Sequence, residues 1–330
     1  MSLPYNIVID GNNFFVSTMM GVLANNPNTL YNVKHDDPRT DPRYGLFLHC
    51  LMAGLEHFCQ SGLPTPQDLG YSGIVLCFDA SNNWRKKVFP NYKAVRKARR
   101  KKENFDWSYF YDLMECLKTD ILKSLPVYYC HKDGFEADDL IAMTVYHMAG
   151  EWVIVSADKD MMQLLTHASV YNPRHKVFYE KGILGGNVNV NKDGYDLLEH
   201  VVKGDSGDGI PNIFSDDDVF INPDKRNARI SKKKMEQIKA DLFHDFTNGD
   251  WSKLDRFNDK YPYLKRNLEL ICFRYIGDSG RYDARCNYKS DLKEDNTAAL
   301  FHKYGLNKLA QTAFWQNAIE KDKQGVENNE

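Results

Sequence analysis

A chain of 330 residues with 43 basic against 45 acidic side chains has a formal charge of −2, so its overall charge does not mark it as a binder of polyanions. With 42% hydrophobic and 27% charged residues it is neither a disordered tail nor a fibrous repeat, and at roughly 150 residues per domain it is long enough for about two domains. Its seven cysteines are widely spaced and form no C-x-x-C pair, which argues against a disulfide framework or a cysteine zinc site, and no apolar run approaches the ~20 residues of a membrane span. A soluble, unexported protein of a reducing cytoplasm is expected.

In chain order, Asn6 to Ile9, Gly73 to Phe78, Pro126 to Cys130 and Trp152 to Ser156 are short β-branched or aromatic runs that read as strands. Between them, Tyr44 to Gln60, Asp106 to Leu125 and Glu136 to Met148 carry apolar residues at helical spacing. Strands alternating with helices predict an α/β fold, a mostly parallel central sheet flanked by helices. Beyond residue 185 the pattern turns helical (Tyr195 to Lys203, Ser231 to Phe243, Tyr263 to Tyr275, Thr297 to Glu320). The stretch Phe214 to Arg229 reads as a loop and Gln324 to Glu330 as a frayed tail. The expected division is residues 1–185 as an α/β domain and 186–330 as a helical region.

The placement of the acids is more informative than their number. Asp10 and Asp79 end predicted strands, and Asp158 and Asp160 lie just beyond another. In an open parallel sheet the crevice outside the carboxyl ends of the strands is the usual ligand site. Glu136, Asp138 and Asp139 open the helix after the strand ending at Cys130, and Asp205 and Asp208 sit in a glycine-rich turn that can wrap toward the same edge. Any one of these acids can be a helix cap. Nine converging carboxylates repel one another unless cations neutralise them, and oxygen donors with no clustered His or Cys favour Mg²⁺, with Mn²⁺ as substitute, over zinc. Two such ions about 3.5–4 Å apart suit in-line attack of water on a phosphodiester.

From Trp84 to Glu103 there are ten basic residues and one acid. This density suits a polyanionic substrate, and interleaved Trp84, Phe89 and Tyr92 offer either stacking surfaces for bases or anchors to the body. Arg85, Lys97, Arg99 and Arg100 are candidate phosphate contacts. So are Lys232, Lys233 and Lys234, which follow Ser231, a plausible N-cap.

Taken together, Val8-Ile9-Asp10-Gly11-Asn12, Leu76-Cys77-Phe78-Asp79, Tyr92-Lys93-Ala94-Val95-Arg96, Phe135-Glu136-Ala137-Asp138-Asp139, Ser156-Ala157-Asp158-Lys159-Asp160 and Lys203-Gly204-Asp205-Ser206-Gly207-Asp208 resemble the 5′-nuclease (flap endonuclease) superfamily, in particular its bacteriophage ribonuclease H type, which trims RNA primers in lagging-strand synthesis. The resemblance implies a sheet-centred nuclease domain of the PIN-like kind, an arch around 84–105, a helical duplex-binding region and two divalent metals. Asp10, Asp79, Glu136, Asp138 and Asp158 would surround the first metal, and Asp160, Asp205 and Asp208 the second. Lys93 and Arg96 would hold the scissile phosphate, and Tyr92 could stack on a base. The substrates implied are RNA/DNA hybrid, duplex and flap DNA. The partners implied are a single-stranded DNA-binding protein and a sliding clamp, around a monomer in the cytoplasm, that of the host cell if phage-encoded. One departure is that Asn212 leads into Phe214-Ser215-Asp216-Asp217-Asp218 and a longer loop, where most relatives carry a glycine-rich helical hairpin that grips duplex.

The expected activity is a metal-dependent 5′ to 3′ exonuclease and flap endonuclease, with a non-catalytic DNA-binding scaffold of the same fold as the alternative. A haloacid-type phosphatase is disfavoured because Asp10-Gly11-Asn12 lacks a second Asp two residues after the first. A nucleotide-driven enzyme is disfavoured because no G-x-x-x-x-G-K-[ST] loop occurs.

Overall fold

The computed structural model describes residues 5–25, 34–60, 73–125, 127–182, 195–282, 288–289, 296–317 and 319–320. The expected frayed tail, Gln324 to Glu330, lies outside them. In the first half the elements run β1 (Tyr5–Asp10), α1 (Gly11–Asn25), α2 (Tyr44–Gln60), β2 (Ile74–Cys77), α3 (Arg85–Val88), α4 (Ala94–Lys102), α5 (Trp107–Ser124), β3 (Tyr128–Cys130), α6 (Ala137–His147), β4 (Glu151–Val155), β5 (Ser169–Asn172) and β6 (Val177–Tyr179). They are followed by α7 (Leu197–Lys203), α8 (Lys232–Asn248), α9 (Trp251–Leu254), α10 (Leu264–Ile271), α11 (Phe273–Asp278), β7 (Tyr288–Lys289), α12 (Thr297–Lys303) and α13 (Asn307–Ala310).

The strands form one sheet in the order β6-β5-β4-β1-β2-β3-β7. The central five are parallel, and β6 and β7 are antiparallel edges. Side chains along a strand alternate between faces, so β1 sends Ile7 and Ile9 into one core and Val8 into the other. The first core lies under α1, α2 and α5, and the second under α6. Both faces are covered, which is why the strands read as unbroken apolar runs.

A third core belongs to the helical region, where Leu198, Val201, Ile238, Leu242, Leu264 and Leu268 pack together with Phe89 and Tyr92 from the basic segment. Among the described residues from 195 onward the elements are helices apart from the short β7, and the chain returns to the sheet. Phe273, Ile276 and Tyr282 join the second core, and Leu300, Phe301, Leu309 and Trp315 the first. The expected helix Tyr263 to Tyr275 breaks at Cys272, which is extended between α10 and α11. Phe214 to Arg229 is turn and loop. Among the described residues no cysteine is in a disulfide, and no helix is long and apolar enough to cross a membrane.

Candidate metal centre and nucleic-acid cleft

The carboxyl ends of β1, β2 and β4 and the N-terminus of α6 open onto one cleft of about 1070 Å³. Asp10, Asp79, Glu136, Asp138 and Asp158 line it together with Lys86, Lys93, Arg96, Lys97, Arg100 and Lys101. Each acid is set by its local chain. Asp10 ends β1 and caps α1, its Oδ1 accepting from the Asn13 amide at 2.8 Å while Oδ2 accepts from the Ser156 hydroxyl at 3.2 Å. Between Asp10 and that helix only glycine fits, because a Cβ on Gly11 would lie 2.7 Å from the Phe78 ring and 2.8 Å from the Cys77 carbonyl. Asp79 accepts from the Ala137 amide at 2.8 Å, tying the end of β2 to the start of α6. Asp158 accepts from the Asp160 amide at 2.9 Å, closing the turn after β4.

This crowding has an electrostatic cost. Burial, then Asp79 and Asp158 beside it, push the Asp10 carboxyl up to about 7. Burial and the neighbouring Asp158, Asp10 and Glu136 raise Asp138 far above the usual carboxylate range. Burial and Glu136 raise Asp79. Glu136 behaves differently, because burial alone would raise it but Lys93 and Arg85 outweigh that and hold it low. The Lys93 ammonium donates to Glu136 Oε1 at 2.6 Å and lies 3.8 Å from Asp208. Lys93 itself is in the left-handed region, φ 56°, which a non-glycine residue holds only when its surroundings insist on it. Here its amide donates to the Asp208 carbonyl at 2.7 Å, pinning the basic segment to the glycine-rich turn.

The other expected metal acids form two groups. Asp160 and Asp205 lie on either side of His200, 3.3 Å and 3.0 Å from its ring nitrogens. Burial, with Asp158 adding, pushes Asp160 up to about 7 against the pull of His200, while the hydrogen bond from His200 holds Asp205 well below the usual range. Asp208 instead faces Lys93 and accepts from the Tyr92 hydroxyl at 2.8 Å. The donors fit divalent cations, since buried, mutually repelling carboxylates regain their charge beside one. His200, on α7, was missed in the sequence, although it stands only five residues before Asp205.

Three expected site residues face elsewhere. Asp139 is fully buried and engaged by Arg85 at 2.7 and 2.8 Å, by the Tyr282 hydroxyl at 2.8 Å and by the Trp84 indole at 3.1 Å, which leaves it no face for a metal. On a helix adjacent residues diverge by about 100°, so Asp138 faces the cleft and Asp139 the core. Arg85 is buried with it, and its Nε donates to the Leu270 carbonyl at 3.0 Å, so it is not a phosphate contact. Tyr92 is buried in the third core, its hydroxyl 2.7 Å from Glu136 Oε2, so its ring cannot receive a base.

The remaining cations are exposed or nearly so. Arg96, Lys97 and Arg99 project from α4, and Lys232, Lys233 and Lys234 from the start of α8, where Ser231 caps the helix through the Lys234 amide at 3.2 Å. Arg100 is partly engaged, stacked 4.4 Å over Trp107 and donating to the Tyr111 hydroxyl at 2.7 Å.

The family model for the N-terminal resolvase-like domain of 5′-3′ exonucleases matches residues 52–186, the stretch that contributes Asp79, Lys93, Glu136, Asp138, Asp158 and Asp160. Over that stretch the chain is similar to the N-terminal domain of 5′-3′ exonucleases. It is 27% identical over 255 residues to the ribonuclease H of Enterobacteria phage T4, covering 74% of this chain and 79% of that protein. It is 33% identical over 146 residues to a 5′-3′ exonuclease of Buchnera aphidicola subsp. Schizaphis graminum, covering 42% of this chain and 47% of that one. Among solved structures, the bacteriophage T5 flap endonuclease in complex with DNA and metal ions aligns with a TM-score of 0.50 at 16% identity, over 93% of this chain and 99% of that one. The T5 5′-exonuclease with bound zinc aligns with a TM-score of 0.52 at 17% identity, over 92% and 97%. At these identities the two structures establish the shared fold.

Proposed function

We propose that the protein is a divalent-metal-dependent 5′ to 3′ exonuclease and flap endonuclease that hydrolyses phosphodiesters of RNA/DNA hybrids and of duplex or flap DNA, the activity needed to remove RNA primers in lagging-strand replication. The observation that carries this reading is the opposition within one cleft of five carboxylates and a row of cations. The T4 relative supports the hybrid substrate by its name, and the T5 neighbour supports DNA and metal by its bound contents.

Asp10, Asp79, Glu136, Asp138 and Asp158 would hold one divalent ion, and Asp160, Asp205 and Asp208 a second. Bound there, the ions supply Lewis-acid polarisation of the phosphodiester and lower the pKa of water. The chain's own part is positioning and charge. Lys93, already between Glu136 and Asp208, offers an ammonium to the scissile phosphate once the acids are neutralised otherwise, and Arg96 adds a second cation on the same wall. Lys97 and Arg99 hold flanking phosphates of the 5′ strand beneath the arch, and Lys232, Lys233 and Lys234 hold duplex backbone, none of them reading sequence. Residues 186–330 then serve as the duplex-binding region; the larger part of the third core, Leu197 to Cys272, comes from it.

The reading is tested with a 5′-flap duplex and an RNA/DNA hybrid, each internally labelled, incubated with Mg²⁺, Mn²⁺ or chelator and resolved by product length. Metal-dependent release of short products from the 5′ end is expected. Tight binding without cleavage in either metal would identify a scaffold instead.

A further inference from the structure

The second acidic group contains a nitrogen donor. His200 is 8% exposed, and one donor atom each from Asp160, His200 and Asp205 lie within 4.8 Å of one another. Ligands about 2.0–2.2 Å from a shared cation are separated by roughly 3–4.4 Å, so the trio is close to coordinating spacing as it stands. A neutral imidazole has one N–H. In the tautomer that gives it to Asp205 from Nε2 at 3.0 Å, the Nδ1 lone pair is left facing Asp160 Oδ1 at 3.3 Å. The Tyr195 hydroxyl lies 3.1 Å from Nδ1 and 3.5 Å from that oxygen. A cation beside Nδ1 and Asp160 would use that lone pair, so that in this inference Asp205, on the far nitrogen, supports the second ion by orienting the ring rather than as a direct ligand, as partners of metal-bound histidines usually do.

We propose that His200 is a nitrogen ligand of the second divalent ion, shifting that position from Mg²⁺ toward Mn²⁺ and other borderline cations. The inference rests on the nuclease reading of the same acids. Imidazole is a poor ligand for Mg²⁺ and a better one for transition metals, whose affinity for mixed nitrogen and oxygen sites rises from Mn²⁺ onward. The first group, built among the described residues from carboxylates alone, carries no such bias.

The test is pulsed electron paramagnetic resonance of the full-length protein loaded with Mn²⁺, read for nitrogen modulation from a bound imidazole. The expected result is nitrogen coupling in the unaltered protein, kept in His244→Gln, which removes the exposed histidine of a separate His-Asp group, and lost in His200→Gln. Calorimetric titrations should show the ratio of Mn²⁺ to Mg²⁺ affinity falling about tenfold or more in His200→Gln. Bound Mn²⁺ without nitrogen coupling in the unaltered protein would overturn the proposal, making His200 a bridge between two carboxylates, and would leave the nuclease reading standing. Coupling that survives His200→Gln would overturn it equally. Absence of both Mn²⁺ binding and cleavage would remove the nuclease reading as well.

Discussion

Arg85 and Asp139 form a bidentate ion pair, 2.7 and 2.8 Å, in the interior between the foot of the basic segment and the catalytic-edge helix α6. Around it, the Arg85 guanidinium lies 4.6 Å over Trp84 and holds the Leu270 carbonyl, so a single side chain joins the arch, α6 and the helical region. Removing one partner of a buried pair strands the other charge and costs about 3–5 kcal/mol. Arg85→Ala should therefore lower the denaturant midpoint severely, and Arg85→Lys, which cannot bind bidentately, should recover only part of the loss. Near-normal stability of Arg85→Ala would show that the pair contributes little.

Lys93 should act on the reaction more than on affinity. Its ammonium is aimed at the carboxylates from 2.6 Å, whereas Lys97 and Arg99 are exposed on α4, Arg99 with only Glu103 at 3.5 Å beside it. Lys93→Ala is expected to slow single-turnover cleavage by roughly 100-fold or more while weakening substrate binding by less than about tenfold. Equal losses in both would make it a binding residue only.

Metal removal should expose the repulsion within the cleft. Asp10 and Asp160 are each pushed up to about 7, chiefly by burial, against about 3.9 for an unfolded Asp. With the folded value raised, the stability linked to these groups is fully present below about pH 4 and is lost as pH rises through about 7. The metal-free protein should accordingly lose melting temperature between about pH 5 and 8 from this source, and divalent cation should restore it most at the alkaline end. A chelated protein whose melting temperature stays level over that range, with and without metal, would contradict the assignment.

Gly204 has φ 71°, and a Cβ there would run into the carbonyl oxygens of Ile210 and Pro211. Gly204→Ala should destabilise by about 2 kcal/mol or more and shift Asp205 and Asp208. It should weaken metal binding in calorimetry even where the protein stays folded. Unchanged metal binding in a folded variant would detach the turn from the site.

Much of this was legible in the sequence because its physics is local. β2, β4 and the interior of β1 are buried on both faces and so appear as apolar runs, and an Asp at the end of such a run can only lie at the carboxyl edge of the sheet. The short strands β5, β6 and β7 were not seen: β6 is three partly exposed residues and carries no alternation. α1 escaped because its apolar residues are not confined to one stripe. The mistaken sites share one cause. A charge run does not reveal that one member, Arg85, is buried, nor that Asp139 answers it from the inner face of α6. Tyr92 turned inward with them. His200 has meaning only once α7 brings it between Asp160 and Asp205.

The most direct test of the central claim is cleavage of the 5′-flap and RNA/DNA hybrid substrates by the unaltered protein and by Asp158→Asn, side by side in Mg²⁺. The account predicts short 5′ products from the unaltered protein, none in chelator, and a loss of cleavage in Asp158→Asn of roughly 1000-fold or more with substrate binding and melting temperature nearly unchanged. Wild-type turnover by Asp158→Asn, or binding without metal-dependent cleavage by the unaltered protein, would contradict it.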